Sequence, residues 1–423
     1  MASNLLIVLL VLLCLISFSS CKLEFVSEIC RHGARAPEGD NFGVHYKNGK
    51  GMLTSSGFRQ HLMIGDELRN RYVKGMPKSQ NLLSSRFDPE EVYVRSTQVE
   101  RTVQSAYAQL LGMFPLGTAE DLRSDQIDVS TPPLNVHDLE DIITELGTDA
   151  VQDGMQPVTV KNYGLYIDSL IGYGGCPYIV NDYLRRIDDP QFWQDHDDYF
   201  RPLVFNQIAK AFNIDIDDLS FMKIYKYSDA LFAENFEGVS DRFNFTSKEW
   251  EIVKSMQVPI LIQMLSPYSS QILSLRYLFP ILELMKSRMG QDYNKELLKS
   301  FGTPKFLLFS SHDYQLSHIM QLLNPENFQL EHVEFASILL FELHRRDTKA
   351  CRDSSEDACY YVKAIFNDIQ LKLPSCSSID CSFTEFKGYI ESFGMTYDQM
   401  IEICFSEEPL ESDKYDEKLR VLQ

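Results

Sequence analysis

The chain has 423 residues, 44% of them hydrophobic, and its 60 acidic against 40 basic side chains give a formal charge of −20. That size allows a large core in one or two domains. The acidic balance argues against nucleic acid as a partner, which needs clustered Lys and Arg, and suits work at low pH, where carboxylate repulsion falls.

Residues 1–21 read as a secretory signal peptide. Leu5 to Phe18 is almost wholly apolar, and Ser17-Phe18-Ser19-Ser20-Cys21 supplies small residues for cleavage. The run is short for a bilayer span of about 20 residues. No Lys or Arg precedes it, so a signal anchor is the alternative. No later segment is apolar enough to span a bilayer, and the charged tail from Glu407 to Gln423 lacks a lipid-anchor signal. No stable membrane anchor is therefore expected.

Leu23 to Cys30 reads as a buried strand. It runs into Arg31-His32-Gly33-Ala34-Arg35-Ala36-Pro37, two guanidiniums around one imidazole, with a glycine permitting a sharp turn. A planar five-donor cation fits phosphate oxygens, and an imidazole between two such cations can attack phosphorus. An ordinary basic loop is the plainer reading of a lone Arg-His-Gly. The second arginine and the proline favour the phosphate reading.

Glu91 to Val94 is a second strand, ending at Arg95-Ser96. Thr97 is placed to cap the next helix, with Glu100 completing a capping box. Val99, Val103, Ala106, Tyr107, Leu110 and Leu111 then recur at helical spacing. Taken alone, Arg95 reads as a salt-bridge residue at a helix start. From 131 to 255 the chain is rich in Asp and aromatic residues, with helical patterns over 178–187 and 208–219. This stretch is expected to form a smaller helical cap inserted between two parts of a catalytic domain, 22–130 and 256–423. Gly172-Tyr173-Gly174-Gly175 lacks a following Lys-Ser/Thr and reads as a flexible loop. Asn244-Phe245-Thr246 is the only glycosylation sequon.

Lys305 to Phe309 is a third strand, ending at Ser310-Ser311-His312-Asp313 and followed by a helical stripe of Leu316, Ile319, Met320 and Leu323. Phe335 to His344 and Tyr360 to Phe366 read as adjacent strands that extend the sheet antiparallel. The repeated strand–turn–helix grammar predicts an α/β fold: a mostly parallel central sheet with helices on both faces, plus the cap. Ligands in such sheets bind beyond the carboxyl ends of the strands, where all three charged turns fall.

Of nine cysteines, Cys14 and Cys21 leave with the leader, and Cys30 lies in the core strand as a buried thiol. Six remain, an even number suited to an oxidising compartment. Short loops favour Cys351–Cys359 and Cys376–Cys381, which leaves Cys176 with Cys404. A zinc site would need paired Cys-x-x-Cys spacing, which these residues lack.

Arg31, His32, Arg35, Arg95, His312 and Asp313 thus converge on one sheet edge. Three arginines and a histidine can neutralise a phosphate dianion and the charge that develops during transfer. His32 is the nucleophile candidate, because its flanking arginines disfavour imidazolium and keep it neutral in acid. Asp313 is the proton donor for the leaving alcohol. No metal or cofactor is expected, since the arginines do the electrostatic work. His45, His61, His137, His196, His318, His332 and His344 read as structural or surface residues.

These residues resemble the histidine acid phosphatase family, the acid phosphatase and phytase branch of the histidine phosphatases. Arg31 to Pro37 matches its Arg-His-Gly-x-Arg-x-Pro signature. Arg95-Ser96-Thr97 with Arg101 is similar to its second arginine motif, and His312-Asp313 to its His-Asp dyad. The likeness covers essentially the whole mature chain, including Cys176-Pro177 and the pattern of Cys376, Cys381 and Cys404. It implies an α/β core with a helical cap, a phosphohistidine on His32, Asp313 as general acid, and Arg31, Arg35, Arg95 and His312 as phosphate ligands. Tyr314-Gln315-Leu316 departs from the small residues common after the dyad, and these positions are expected to border the cleft.

The leading expectation is a secreted or lysosomal acid phosphatase acting on small phosphate monoesters. An inositol-polyphosphate phosphatase is the alternative, and the negative charge with few lysines near the motifs weighs against it. A secreted phosphate-binding pseudoenzyme would lack the nucleophile or the acid, and both are present. A homodimeric assembly is left open.

Overall fold

The computed structural model describes residues 21–39, 42–75, 81–164, 167–171, 174–239 and 244–408. The expected leader, 1–21, lies outside them save for its last residue, as do Gly172-Tyr173 and most of the acidic tail. Cys21, expected to leave with the leader, is the first residue of strand β1.

The parallel part of the sheet is built from β1 (Cys21–Arg31), β2 (Val92–Ser96) and β3 (Phe306–Ser311). Then come β4 (Ile338–Arg346), β5 (Tyr360–Phe366), β6 (Ile369–Leu371) and β7 (Cys381–Ser382). The order is β2-β3-β1-β4-β5-β6, with β7 also on β5. Ladders β2–β3 and β3–β1 are parallel. Those from β1 to β4 and outward are antiparallel. The α/β class holds, and the sheet is mixed: its parallel part is confined to the three strands that carry the charged turns, while β4 and β5 make the expected antiparallel extension.

Both faces of β1 are covered, so it is buried along nearly its whole length, the polar Glu24, Ser27 and Glu28 included. Phe25 and Ile29 enter one core layer, Leu23, Val26 and Cys30 the other. A register shift between Leu23 and Phe25 resets the two-residue alternation at Glu24. The smaller layer packs under helices α1 (Ser55–Leu68) and α2 (Glu100–Met113), through Leu68, Ala106, Leu110 and Met113.

Next in the chain come α3 (Leu139–Leu146), α4 (Pro177–Ile187), α5 (Pro190–Phe200), α6 (Asn206–Phe212), α7 (Phe221–Glu237), α8 (Ser247–Ser255) and α9 (Gln257–Gln263). The helical pattern read over 208–219 is broken. Asn213 takes a left-handed conformation that ends α6, and Asp215 accepts from the Asp217 N–H to start a short 3-10 turn. Ile179, Phe205, Phe221 and Val253 of this region share one apolar layer with Phe25, Ile29 and Phe309 of the sheet. The long α10 (Pro267–Arg288), α11 (Asp313–Leu323), α12 (Phe383–Glu391) and α13 (Tyr397–Cys404) complete that layer.

The three disulfides are those expected: Cys351–Cys359, Cys376–Cys381 and Cys176–Cys404. The last joins the residue before α4 to the end of α13, 228 residues apart in sequence. Cys30 is buried and unbridged. Among the described residues, no helix is long and apolar enough to cross a membrane.

Register then locates the site. Arg31 lies opposite Ser311 and Ser96 opposite Ser310, so β1, β2 and β3 end level at one edge. Antiparallel β4 starts opposite Cys30, which brings its N-terminal flank, Val333 to Ser337, to the same edge.

Candidate active site

His32 follows the last residue of β1, and its backbone N–H donates to the Ser311 carbonyl. Its Nδ1 lies 2.8 Å from the Gly33 carbonyl oxygen. A carbonyl only accepts, so Nδ1 carries the proton and Nε2 keeps its lone pair. Burial pushes the His32 pKa well below its ordinary value, and the charges of Arg101, Arg35 and Arg31 push the same way. The ring therefore stays neutral and nucleophilic in acid.

Gly33 is needed for a reason other than a turn. A Cβ there would come 2.6 Å from the Gly57 carbonyl oxygen, and one on Gly57 would come 2.1 Å from that of Ala34. Two glycines let the start of α1 lie directly on the turn, and the Gly33 N–H donates to Ser105 Oγ of α2.

Each arginine of the turn has a carboxylate partner. Arg31 Nη2 lies 2.8 Å from Asp313 Oδ2, Nη1 donates to the Val333 carbonyl, and the guanidinium lies 4.3 Å from the Phe335 ring centroid. Arg35 makes a forked pair with Asp229 of α7, at 2.8 and 3.2 Å. Asp229 also accepts from the Glu38 N–H. Burial raises the Asp229 carboxyl pKa, but Arg35 outweighs it and holds the group ionised.

The third arginine is Arg101, not Arg95. Arg95 lies within β2, where the pleat turns it to the Tyr93 side. There it pairs with Asp168 at 2.6 Å and lies over the Tyr163 ring. Asp168 is fixed in turn by the N–H groups of Leu170 and Ile171, and its carbonyl accepts from Arg276. Arg95 is thus a buried structural ion pair. Arg101, in the first turn of α2, is buried, donates to His312 Nδ1 at 3.3 Å and pairs with Glu38. Burial lowers the Arg101 pKa to about 10, so it remains a cation.

His312 sits beside His32, ring centroids 5.5 Å apart. Because Arg101 can only donate, Nδ1 accepts and the Nε2–H goes to Thr97 Oγ1 at 3.0 Å. Both ring nitrogens are engaged by protein. This also explains why Thr97 does not cap α2: the N-cap is Val99 with no side-chain bond, and the Thr97 hydroxyl links His312 to Thr102. Asp313 opens α11, 8% exposed. Tyr314, Gln315 and Leu316 turn inward instead of lining the cleft. Tyr314 stacks on His312, and Gln315 accepts from the His312 N–H.

A model of the histidine phosphatase superfamily (branch 2) matches residues 40–367. The chain belongs to that family. The lysosomal acid phosphatases of Bos taurus and Homo sapiens are each 26% identical to it over 344 residues, 77% of this chain and 68% of theirs. A Homo sapiens testicular acid phosphatase is 36% identical over 143 residues, 31% of this chain and 32% of its own. Among solved structures, a phytase from Citrobacter braakii superposes with a TM-score of 0.59 at 16% identity, covering 88% of this chain and 98% of that one. A multiple inositol polyphosphate phosphatase from Bifidobacterium longum gives 0.55 at 12%, covering 91% and 96%. These two likenesses show a shared fold.

In this histidine phosphatase the structure brings together His32, Arg31, Arg35, His312 and Asp313 as expected, and leaves Arg95 outside. Sequence reasoning missed Glu38 and Asp229 and gave Arg101 no ligand role. No local signal separated Arg95 from Arg101: Arg31 is the last residue of β1 and Arg95 the next to last of β2, and only the direction of the side chain tells them apart.

Proposed function

We propose that this chain is an acid phosphatase that hydrolyses phosphate monoesters through a phosphohistidine on His32. The observation that carries the reading is the Nδ1–Gly33 bond, which leaves Nε2 free among Arg31, Arg35 and Arg101. Nε2 attacks phosphorus, and the bond to the ester oxygen breaks as the arginines take up charge on the equatorial oxygens. Protonated Asp313 gives its proton to the leaving oxygen, releasing the alcohol. Its carboxylate then takes a proton from the water that cleaves the phosphohistidine, which regenerates both groups. The His312 ring positions Arg101 beside His32. The acid phosphatases among the relatives support this activity. Three disulfides support a secreted or lysosomal location.

Phosphate trapped on the wild-type protein by rapid quench, and lost with turnover in His32→Ala, is the expected result. Near-full activity in His32→Ala would refute the assignment. Three carboxylates among three arginines favour a singly phosphorylated substrate over a polyanion. Faster hydrolysis of phytate than of an aryl phosphate would reverse that preference.

A further inference from the structure

Glu38 stands just past the Arg31–Pro37 turn, and its carboxylate lies on two guanidiniums of the phosphate cradle. Oε1 pairs with Arg101 Nη2 and lies 3.9 Å from Arg35 Nη2. The charged groups that face it are Arg35 on its own loop, Arg101 on α2, Asp229 on α7 and Asp313 on α11. Asp229 is held by a two-pronged pair and a backbone N–H, so it is a fixed counter-ion. Glu38 has single-point contacts on a longer stem, and its side chain is 22% exposed against 4% for Arg101.

Charge arithmetic makes that position consequential. With Glu38, Asp229 and Asp313 all ionised, the cations of Arg31, Arg35 and Arg101 are cancelled and a dianion meets no net attraction. A proton on Asp313, which the proposed mechanism needs, leaves one positive charge. A second on Glu38 leaves two, matching a phosphoryl dianion. Resting on the acid phosphatase reading above, we propose that Glu38 is a specificity-determining carboxylate. It occupies the Arg35–Arg101 face as an internal competitor, and a tetrahedral dianion takes that face only as Glu38 gains a proton. Burial, opposed by Arg101 and Arg35 and reinforced by Asp229 and Asp313, leaves Glu38 above the usual carboxylate range. An incoming dianion would raise it further.

Sulfate is the probe, because it stays a dianion from acid to neutral pH and needs no turnover. Calorimetry in buffers of differing ionisation enthalpy reads proton uptake on binding. For wild type, affinity should fall by up to about tenfold per pH unit per proton taken up as pH rises toward neutral. Glu38→Gln should take up about one proton fewer and bind sulfate at least ~10-fold more tightly than wild type near neutral pH, with the gap closing in acid. Glu38→Asp, which keeps the acid, should retain the wild-type uptake. Unchanged uptake and pH slope in Glu38→Gln would overturn the inference. Weaker binding at every pH would overturn it too, making Glu38 a brace for Arg101. Loss of the acid phosphatase reading would appear separately, as wild-type protein that turns over no phosphate monoester.

Discussion

Glu28 lies on β1 three residues before Arg31, fully buried, with its side chain toward α2. Its Oε2 is 2.6 Å from the Gln109 amide, whose other end is 3.0 Å from His61 Nδ1. His61 Nε2 donates to the Arg31 carbonyl at 3.1 Å. This chain of polar groups supports the backbone that presents His32. Burial drives the Glu28 pKa up from 4.5 to about 8, only partly opposed by Gln109. For an acid whose folded pKa is raised, the folded state holds its proton more tightly than the unfolded chain. The resulting stability is complete below pH 4.5 and is lost as pH climbs through about 8. At about 1.4 kcal/mol per pH unit, roughly 3 kcal/mol should be gone by pH ~7. Gln keeps the shape and neutrality of the protonated acid and does not titrate. Glu28→Gln should therefore gain about 3 kcal/mol relative to wild type between pH ~4.5 and pH ~7, read from urea unfolding at both. Parallel pH profiles for the two proteins would refute the claim that Glu28 is buried as a neutral acid.

Arg101→Ala should lower kcat/KM by about 10²- to 10³-fold, as for loss of one preorganised donor to a transition-state oxyanion. Arg95→Ala should instead destabilise the fold by about 3–5 kcal/mol, because it leaves Asp168 buried and unpaired. Folded Arg95→Ala protein should turn over within a few-fold of wild type, and a larger loss than in Arg101→Ala would reverse the two roles. Gly33→Ala should cost about 1–3 kcal/mol through the clash with Gly57 and lower kcat by displacing His32. A variant with wild-type thermal midpoint and kcat would show that α1 yields easily. Cys176→Ser should lower stability by about 2–5 kcal/mol, since its bridge closes a 228-residue separation. Free-thiol titration of the variant should then find Cys404 reactive once unfolded.

Local chemistry explains which features could be read without coordinates. β2 and β3 are short, largely apolar runs, β1 alternates apolar and polar residues, and all three end in charged turns; such patterns are encoded over a few positions. Arg31, His32 and Arg35 were legible because one turn carries all three. His312 and Asp313 were legible because they follow a strand and open a helix. The short disulfides were legible because loops of a few residues close at little entropic cost. The amino-acid sequence alone thus determined the class of chemistry and placed the proposed nucleophile, two arginines and the proposed acid at one edge.

Tertiary structure decided what depended on direction and on distant partners. Arg95 and Arg101 are six residues apart in one motif. Only the pleat of β2 and the start of α2 show that one meets Asp168 while the other reaches His312. Asp229 comes from a helix almost 200 positions after Arg35, and no local pattern announces the pairing. Gly33 looked like a turn residue, yet its requirement comes from Gly57 across a close approach. Glu38 carried no signal in the sequence, and only the fold lays it on two arginines. Sequence pattern specifies what a short segment tends to form, and the charge balance of a buried site is set only when packing chooses which charges share it.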